Sequence, residues 1–347
     1  MYFYLFVRVV MSRVLGANKL KYGGQNQKWL ILLGSDDYDL ECAKILLNHL
    51  PSRQVVVLSS CLQLVAKLVK NNPQVIDGGN FDILSNLEHH SWAGIILGAK
   101  ATLSDSETLS LIKLKLNYVP VYHICDVWES LWLKLPPSLL DANWFVASSR
   151  FQYANFLKFK RLIDILVSML LLIILLPLML LVAVAIKLDS PGEIIYSQLR
   201  NGRNGRVFKI YKFRSMYTDA EKTGVKWTSI GDSRITRIGY WLRTLRIDEL
   251  PQLWNVLIGE MSLIGPRPER PEFDVKLKNA IPYYQLRYLV KPGISGWAQV
   301  LYPYGASVED AYEKLAYDLY YIKNYSLWLD IVIFFKTIKV VLCGKGR

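Results

Sequence analysis

Two adjacent carboxylates, Asp248 and Glu249, stand among basic and apolar residues in the stretch LRIDELPQLWNVLIGEMSLIGPRPE at positions 245–269. Paired carboxylates can supply a nucleophile, a general acid or base, or oxygen ligands for a divalent metal. A structural explanation is also available, because Asp favours a helix N-cap, Glu suits the first helical turn and Pro is tolerated there. Both explanations predict that a helix begins close to this pair.

The residues after position 150 limit the chemistry that this pair can support. All four histidines lie before that position, and the only later cysteine is Cys343 near the C-terminal end. Catalysis in the second half therefore cannot use a Ser/His or Cys/His relay, a His base or a His metal ligand. The four cysteines are widely spaced and form no metal-ligand pattern, which is typical of free thiols in a reducing compartment.

The positive charge of the chain is concentrated in the same half. Residues 1–150 carry 14 basic and 12 acidic side chains, and the remainder carries 28 basic and 17 acidic ones. Most of the net charge of +13 therefore lies after residue 150. Between Arg200 and Arg246, twelve basic residues are interleaved with aromatic ones and with only three acids. This excess favours a phosphate-rich partner, which charge alone leaves open as nucleic acid, an anionic membrane surface or a nucleotide.

Residues 28–150 alternate short apolar runs with helical stretches. The runs KWLILL, RQVVVLSS, WAGIILGA, VPVYHIC and NWFVAS resemble strands, and this alternation predicts a doubly wound parallel sheet. We therefore expect an α/β, Rossmann-like domain over residues 28–150, preceded by an N-terminal tail at residues 1–27.

The first strand-to-helix turn of this domain lacks a dinucleotide fingerprint. It reads Gly-Ser-Asp-Asp at residues 34–37, and its acids would repel a pyrophosphate. The Asp-Tyr-Asp string at residues 37–39 spells a DxD metal motif, but an N-cap and an acidic first turn explain it better at this place. A regulatory or dimerising domain is thus expected rather than a catalytic one.

The run ILVSMLLLIILLPLMLLVAVAI at residues 165–186 contains no charge in 22 positions. A helix of this length rises about 33 Å, which is enough to cross the hydrocarbon layer. Pro177 must bend it, however, and basic residues flank both ends. We predict a re-entrant membrane helix over residues 158–190, broken at Pro177, in preference to a true crossing and then to a buried soluble helix.

Two other apolar segments leave their placement open. MYFYLFVRVV at the start is too short to span a bilayer, so it is an interfacial tail or the remnant of a longer membrane region. SLWLDIVIFFKTIKVVL at residues 326–342 suits a helix lying in the interface or an ordinary core-facing helix.

Five motifs in order and spacing resemble the bacterial sugar transferase family over about residues 158–347. Its members are monotopic polyprenyl-phosphate sugar-1-phosphate transferases that start exopolysaccharide, capsule and O-antigen assembly. The resemblance implies an α+β catalytic domain at residues 191–347 behind the re-entrant helix, and a Rossmann-like module as in the larger members. The motifs are YSQLRNG (196–202), FKIYKFRSM (208–216), the carboxylate stretch (245–269), KPGISGWAQV (291–300) and YDLYYIKNYSLWLD (317–330).

The resemblance also implies a reaction. Members pass a phosphosugar from a nucleotide-diphosphate sugar, usually a UDP-sugar, to a polyprenyl (undecaprenyl) phosphate and release the nucleoside monophosphate. By the family pattern Asp248 is the nucleophile that forms an aspartyl-phosphosugar intermediate, and Glu249 with Asp248 holds Mg²⁺. A helix N-terminus would keep both carboxylates ionised. The expected location is the cytoplasmic face of the bacterial inner membrane, with membrane lipid as a partner and a homodimer as in larger members.

Further substrate-binding residues carry over from the same motifs. Arg267, in a Pro-Arg-Pro turn, suits diphosphate recognition through its forked guanidinium. Asp318 matches an acidic position of the last motif, where a structural cap is equally consistent, and the stretch at 302–304 is a candidate lining of the sugar pocket. Small members place Ser before the helix-breaking Pro, whereas this chain has Leu there. The remaining candidate phosphate ligands are Arg243, Arg214, Arg200 and Lys291.

Two alternatives from other classes remain. A non-catalytic membrane scaffold or regulator of polysaccharide synthesis would use the basic residues to bind anionic lipid. A nucleic-acid binder would use the same residues together with the aromatic ones. The second alternative is disfavoured, because an uncharged membrane helix and a carboxylate pair flank the basic stretch.

Overall fold

A computed structural model describes residues 28–35, 37–47, 54–89, 92–140, 145–147, 154–220, 232–303, 305 and 307–343. The chain divides into two compact units, Met1–Trp144 and Phe145–Arg347. The expected tail at residues 1–27 and Tyr304, within the candidate stretch 302–304, lie outside the described residues.

The first unit is built on a five-stranded parallel sheet with the strand order β3-β2-β1-β4-β5. The central strand reads KWLILL, and all but its first residue are buried. A strand covered on both faces requires such a continuous apolar run, because neither side of the sheet faces water. The strands are β1 (Lys28–Leu33), β2 (Val55–Ser59), β3 (Val75–Gly79), β4 (Trp92–Leu97) and β5 (Val121–His123).

Helices connect these strands, as parallel pairing demands. The third of them begins at a capping box, in which Ser104 and Glu107 exchange side-chain and backbone hydrogen bonds. Leu30, Leu58 and Ile95 lie in the apolar core beneath. The helices are α1 (Asp37–Leu47), α2 (Leu62–Asn71), α3 (Asp105–Leu116) and α4 (Ile124–Trp132), with 3₁₀ segments at Phe81–His89 and Pro137–Leu139.

The parallel α/β arrangement of the first unit confirms the expectation from the sequence, with two differences in its strands. The run NWFVAS is not a strand, since residues 145–147 within it are helical. Strand β3 was not predicted, because its sequence VIDGG has only two apolar residues. A strand at the edge of the sheet, as β3 is, needs fewer of them.

Asp39 closes the carboxyl edge of this sheet in a way that the first-turn explanation did not foresee. Its buried Oδ2 accepts hydrogen bonds from the backbone nitrogens of Gly34 at 2.9 Å and Lys100 at 3.3 Å. A Cβ on Gly98 would come within 2.6 Å of the same oxygen. The carboxylate therefore takes up backbone N–H groups next to β1 and β4, where a dinucleotide-binding fold would offer such groups to phosphate.

The second unit combines one long helix with short strands and helices. Its strands are an antiparallel hairpin, β6 (Ile195–Asn201) and β7 (Val207–Phe213), and a short parallel pair, β8 (Ser262–Ile264) and β9 (Gly293–Ser295). Its helices are α5 (Ala154–Asp189), α6 (Arg237–Thr244), α7 (Gln252–Ile258), α8 (Pro271–Ala280), α9 (Trp297–Leu301), α10 (Val308–Lys323) and α11 (Leu327–Leu342), with 3₁₀ turns at Arg203–Gly205, Ile247–Glu249 and Tyr284–Leu289.

Helix α5 spans 36 residues and passes through Pro177 without interruption. The part from Leu157 to Asp189 is long and apolar enough to cross a membrane by length and composition. Its middle is largely exposed, with Leu181 showing 69% of its side-chain surface. Such an apolar surface is typical of a helix in contact with lipid, which agrees with membrane association.

The N-terminal part of α5 is fastened to the second unit by buried polar contacts. The Lys160 ammonium donates to Asp330 Oδ2 at 2.5 Å, to the Tyr321 hydroxyl at 3.1 Å and to the Ile264 carbonyl at 3.1 Å. One turn on, Asp164 accepts a hydrogen bond from the Leu263 nitrogen at 3.1 Å. These contacts tie the start of α5 to β8 and to helices α10 and α11.

The C-terminal part of α5 is fastened to the same unit. The Arg214 guanidinium donates to the Ser190 carbonyl at 2.5 Å and hydroxyl at 2.9 Å, and to the Ile186 carbonyl at 3.3 Å. Ile186 also packs in an apolar cluster with Phe213 and Leu242, and Ile247 beside the carboxylate pair lines that cluster. Both ends of the apolar helix are therefore bound to one compact unit.

Helix α11 combines the two placements that the sequence left open, a core-facing side and a side suited to a membrane interface. Leu329, Val332 and Ile333 are buried, so one side packs on the unit. The other side presents large apolar side chains to the outside at helical spacing, which suits an interface with lipid. The exposed residues are Trp328, Ile331, Phe334, Phe335, Ile338 and Leu342.

We expect the Lys160→Met substitution to destabilise the protein strongly. It leaves the Asp330 carboxylate buried without its cation, which costs about 3–5 kcal/mol of unfolding free energy. Combining it with Asp330→Asn should restore part of that loss, since no uncompensated charge then remains. Unfolding in detergent measures both. The exposed Lys158→Met is the matched control, and a Lys160→Met protein as stable as that control would contradict the assignment.

Candidate active site

The carboxylate pair lies in the 3₁₀ turn Ile247–Glu249 between α6 and α7. Asp248 is 8% exposed and Glu249 5% exposed. Helix α7 begins close by, as expected, but its N-cap is Pro251 and no side chain caps it. The capping explanation of the pair is therefore wrong. Both carboxylates are buried one turn before the helix, and burial of a charge requires compensation.

That compensation is concentrated on Glu249. Arg267 Nη2 donates to its Oε1 at 2.5 Å, and Lys212 Nζ contacts the same oxygen at 3.0 Å. A third cation, Arg246 Nη1, lies 3.9 Å from Oε2. Burial by itself would raise the pKa of Glu249, but the charges of Arg267 and Lys212 outweigh it and hold that pKa well below its usual range.

The carboxylate of Asp248 has different surroundings from that of Glu249. Within the described part of the chain its carboxylate accepts no hydrogen bond from another side chain or backbone group. Burial and, after it, the neighbouring charge of Glu249 raise the pKa of Asp248, although Lys212, Arg243 and Arg267 act against the shift. The two neighbouring carboxylates are thus electrostatically distinct.

Arg267 reaches Glu249 from a turn that is fixed by close backbone packing. In the Gly-Pro-Arg-Pro turn at residues 265–268, the Gly265 nitrogen donates to the Ser295 carbonyl at 2.9 Å, and the Gly293 nitrogen donates to the Pro266 carbonyl at 2.9 Å. A Cβ on Gly265 would overlap the backbone of residue 291, and one on Gly293 or Gly296 would overlap the Gly265 backbone. Glycine is therefore required where these two segments meet.

A buried cation supports the same turn from behind. Arg287 donates to the Arg267 carbonyl at 2.7 Å and pairs with Asp318 at 3.1 Å. Asp318 lies inside α10 rather than at its end, so the structural-cap alternative is wrong. Burial raises the pKa of Asp318 to about 6 despite the adjacent Arg287. Both residues act on the turn and not directly on the carboxylate pair.

Arg200 lies on the other side of the turn. It donates to the Pro268 carbonyl at 3.1 Å and to Gln198 Oε1 at 2.6 Å, and its Nη1 lies 3.6 Å from Glu269 Oε1. Burial lowers the pKa of Arg200 to about 10 although Glu269 opposes the shift. Arg200, Lys212, Gln252 and Arg267 line a small cleft, together with Ile210 and Pro268.

The structure places the other predicted site residues in different parts of the second unit. Arg243 lies in the last turn of α6, close enough to Asp248 for its charge to lower the carboxyl pKa. Arg214 is engaged by the end of α5, which does not bring it to the carboxylate pair. Lys291 lies beside Arg161 and Gly259 at the far end of α7, again away from the pair. Tyr302 donates to Asp310 Oδ1 at 3.0 Å in the first turn of α10.

Three site residues were missed by sequence reasoning. Lys212 stands in the motif FKIYKFRSM on the same face of β7 as buried Phe208 and Ile210. A lysine at a core-facing position indicates a buried partner, but the pattern does not name Glu249. Arg246, two residues before Asp248, takes a left-handed conformation with φ 55°. Arg287 is buried in the 3₁₀ turn Tyr284–Leu289, together with Tyr284 and Tyr288. Only the positive φ of Arg246 marks a constrained position, and it is visible in the structure alone.

The oxygen donors of the site suit Mg²⁺ in one respect. Among the described residues, no three Asp, Glu, His or Cys side chains come together as a metal-binding group. Mg²⁺ is often held by one or two carboxylates with substrate phosphate oxygens and water completing its shell. Asp248, which accepts no hydrogen bond in the described part of the chain, and its neighbour Glu249 match such a minimal donor set.

Residues 155–344 match the sequence profile of the family described as bacterial sugar transferase. The chain belongs to this family. All residues described above around the carboxylate pair, from Lys160 in α5 to α11, fall within the matched range. The two-residue Asp-Glu turn and its cations are thus features of a bacterial sugar transferase region.

Individual relatives are similar over parts of the chain. A UDP-N-acetylgalactosamine-undecaprenyl-phosphate N-acetylgalactosaminephosphotransferase of Aeromonas hydrophila is 46% identical over 236 residues, 68% of this chain and 55% of the relative. An undecaprenyl-phosphate glucose phosphotransferase of Komagataeibacter xylinus is 50% identical over 186 residues, 52% of this chain and 35% of the relative. An exopolysaccharide production protein of Rhizobium leguminosarum bv. phaseoli is 43% identical over 194 residues, 54% of this chain and 97% of the relative. The chain thus spans about a third to a half of the first two.

We expect Gly293→Ala to disrupt this sugar transferase site. The added Cβ overlaps backbone atoms of the Pro-Arg-Pro turn, which have no flexible side chain to move aside, so about 1–3 kcal/mol or more of unfolding free energy is lost. Gly205→Ala is the matched control, because nothing lies within 4 Å and only its left-handed φ of 73° is strained, costing about 1 kcal/mol. Thermal unfolding in detergent should separate the two variants, and equal melting temperatures would refute the packing argument.

Proposed function

We propose that the protein transfers a sugar 1-phosphate from a UDP-sugar to undecaprenyl phosphate at the membrane surface and releases UMP, starting exopolysaccharide, capsule or O-antigen assembly. The observation that carries the proposal is the unequal carboxylate pair. Glu249 is neutralised by three cations, while Asp248 is buried and accepts no hydrogen bond within the described chain. A poorly solvated carboxylate retains the lone pairs that a nucleophile needs. The names of two relatives, which specify undecaprenyl-phosphate sugar phosphotransferases, support the same substrates.

In the first half-reaction the Asp248 carboxylate attacks the phosphorus that carries the sugar. An oxygen–phosphorus bond forms to Asp248 as the bond to the UMP oxygen breaks, and UMP leaves with the electron pair. The attack brings an anion to an anion, so positive charge must surround the phosphates. Arg267, Lys212 and Arg200 line the adjoining cleft and supply that charge to the diphosphate.

In the second half-reaction a phosphate oxygen of undecaprenyl phosphate attacks the same phosphorus. The bond to Asp248 breaks, the carboxylate is released, and the product is an undecaprenyl diphosphate sugar. Arg243 in the last turn of α6 is the cation left to meet the incoming phosphate. Two displacements at one phosphorus allow the nucleotide to leave before the lipid arrives.

Magnesium completes the proposed site. Glu249, with Asp248, would hold the ion together with diphosphate oxygens, in keeping with the one or two carboxylates usual for Mg²⁺. When bound, the ion supplies neutralisation of the phosphate oxygens during transfer. Arg267 and Lys212 hold Glu249 in its ionised form for this role, since they keep its pKa low.

The proposed membrane arrangement follows from the two fastened ends of α5. A straight crossing would place the ends on opposite sides of the bilayer, whereas Lys160 and Arg214 bind them to the same compact unit. We therefore propose that residues 158–190 enter and leave the membrane on one face, with α5 bending at Pro177 while it stays helical. We also propose that this face is cytoplasmic, because both flanks are basic.

For the first unit we propose a Rossmann-like domain with a regulatory or dimerising role. The sheet order with β1 at its centre matches that fold. The capture of Gly34 and Lys100 nitrogens by Asp39 argues against dinucleotide phosphates as its ligand.

Asp248→Asn should abolish both the covalent intermediate and UMP release. An amide cannot form the acyl phosphate bond, so turnover should fall to background. The purified variant in detergent is incubated with a panel of UDP-sugars, with adduct followed by intact-protein mass spectrometry and UMP by coupled assay. Asp219→Asn, at an exposed position of the same unit, is the control. The scaffold alternative predicts normal behaviour of Asp248→Asn and no Mg²⁺ requirement, and either result would end the proposal.

Adduct formation should depend on the protonation of Asp248. Burial, followed by the charge of Glu249, raises the pKa of Asp248 to about 6, and only the ionised form attacks. The single-turnover rate at saturating UDP-sugar should therefore fall as the pH drops through about 6. Lys212→Met removes a charge that lowers this pKa, so its midpoint should move to higher pH. Lys209→Met, exposed on the same strand, should leave the midpoint in place, and a downward shift for Lys212→Met would contradict this electrostatic account.

A further inference from the structure

A second group of cations surrounds Gly259, at the end of α7 opposite the carboxylate pair. Gly259 caps that helix in the left-handed conformation, with φ 94°. A Cβ at this residue would lie 3.3 Å from Arg161 Nη2 and 3.6 Å from Lys291 Nζ. The two cationic nitrogens therefore lie within about 7 Å of each other and face a space that the missing side chain leaves open.

Among the described residues, two cations and one acid act electrostatically on Lys291 at this space. Arg161 gives two donors to the Val256 and Leu257 carbonyls at 2.5 and 2.6 Å, which fixes its guanidinium at the end of α7. Lys291 makes no hydrogen bond to a described residue, and Arg203 from the 3₁₀ turn between β6 and β7 adds a third positive charge close to it. Burial and then the charge of Arg161 lower the pKa of Lys291.

The acid that acts on Lys291 is already engaged in a hydrogen bond. Asp164 acts on Lys291 electrostatically, but its Oδ1 accepts a hydrogen bond from the Leu263 nitrogen at 3.1 Å. One carboxylate facing three cations leaves a net positive site. Like charges held this close are stabilised when an anion lies between them.

The position of these cations along α5 indicates the source of that anion. Arg161 stands four residues before the uncharged run that begins at Ile165. Leu162 next to Arg161, Ile258 next to Gly259, and Trp254 one turn earlier on α7 are all exposed apolar residues. Trp together with Arg and Lys at the end of an apolar helix is typical of the headgroup layer of a membrane.

The distance from the carboxylate pair separates this site from the reaction. Helix α7 has seven residues, so it rises about 10 Å between the two groups. A phosphate held at Gly259 is consequently out of reach of the Asp248 carboxylate, because a reacting phosphorus must come within about 3.5 Å.

We propose that Arg161, Lys291 and Arg203 form a binding site for the phosphate of an anionic phospholipid headgroup, with Gly259 as its floor. The bound lipid does not react and holds the start of α5 and the end of α7 at the depth of the headgroups. Lys291 thus binds phosphate, as the sequence predicts, but the phosphate belongs to a boundary lipid and not to the sugar nucleotide or the acceptor.

The test uses the purified full chain in an uncharged detergent. Short-chain phosphatidylglycerol, short-chain phosphatidylcholine, farnesyl phosphate and inorganic phosphate are titrated separately, and the melting temperature is followed, because a ligand that binds the folded state raises it. Phosphatidylglycerol should raise the melting temperature and phosphatidylcholine should not. Arg203→Gln should weaken the apparent affinity for phosphatidylglycerol about fivefold, and Arg203→Gln with Lys291→Gln about 25-fold.

Two further variants make the outcome specific. Arg206→Gln removes an equal charge from an exposed position of the same hairpin and should leave the affinity unchanged within a factor of about two. Asp248→Asn should also bind phosphatidylglycerol normally, since the site lies at the opposite end of α7. Equal weakening by Arg206→Gln, stabilisation by phosphatidylcholine or inorganic phosphate alone, or a response to farnesyl phosphate without one to phosphatidylglycerol would each overturn the proposal.

Discussion

A buried carboxylate must be matched by positive charge, and Glu249 draws that charge from three separate segments of the second unit. Lys212 comes from β7, Arg246 from the turn before the pair, and Arg267 from the Gly-Pro-Arg-Pro turn. Arg246 is a local neighbour of Glu249 in the chain, but Lys212 and Arg267 come from distant segments, so their pairing forms only when the segments converge. Folding of the unit and assembly of the site are therefore the same event, and a partly folded chain would leave an uncompensated charge.

The same arrangement makes two neighbouring acids unlike each other. Glu249 receives hydrogen bonds and ion pairs at short range, which keep it ionised. Asp248 shares the burial but receives only the more distant field of Lys212, Arg243 and Arg267. A difference in pKa between adjacent carboxyl groups is the usual basis for assigning them different roles in one site. Here it arises from the number of donors that reach each group and not from residue type.

Features with a local cause were predictable from the sequence. The absence of charge in residues 165–186 predicted an apolar helix, and the continuous run KWLILL predicted a buried strand of a parallel sheet. Features with a tertiary cause were not. Arg214 and Arg267 are both arginines in family motifs, yet one binds the end of α5 and the other binds Glu249. The partner of a long cationic side chain depends on which segments pack together, and no local pattern records it.

The glycines of residues 265–296 illustrate the same limit. Their spacing in GPRP and GISG reads as ordinary turn chemistry. In the structure they allow two backbones to approach so closely that the Pro266 carbonyl accepts a hydrogen bond from Gly293. The requirement for glycine arises from contact between segments that are distant in the sequence. This contact fixes the turn from which Arg267 reaches Glu249.

Helix α5, held at both ends by Lys160 and Arg214, cannot adjust to a thicker or thinner hydrocarbon layer by sliding past its neighbours. Hydrophobic mismatch would normally be relieved by tilting a helix on its own, at a modest cost per ångström. In this protein the relief must come from lifting or lowering the entire second unit. In the reaction proposed above, bilayer thickness thereby sets how far the acceptor phosphate must rise out of the headgroup layer to meet Asp248.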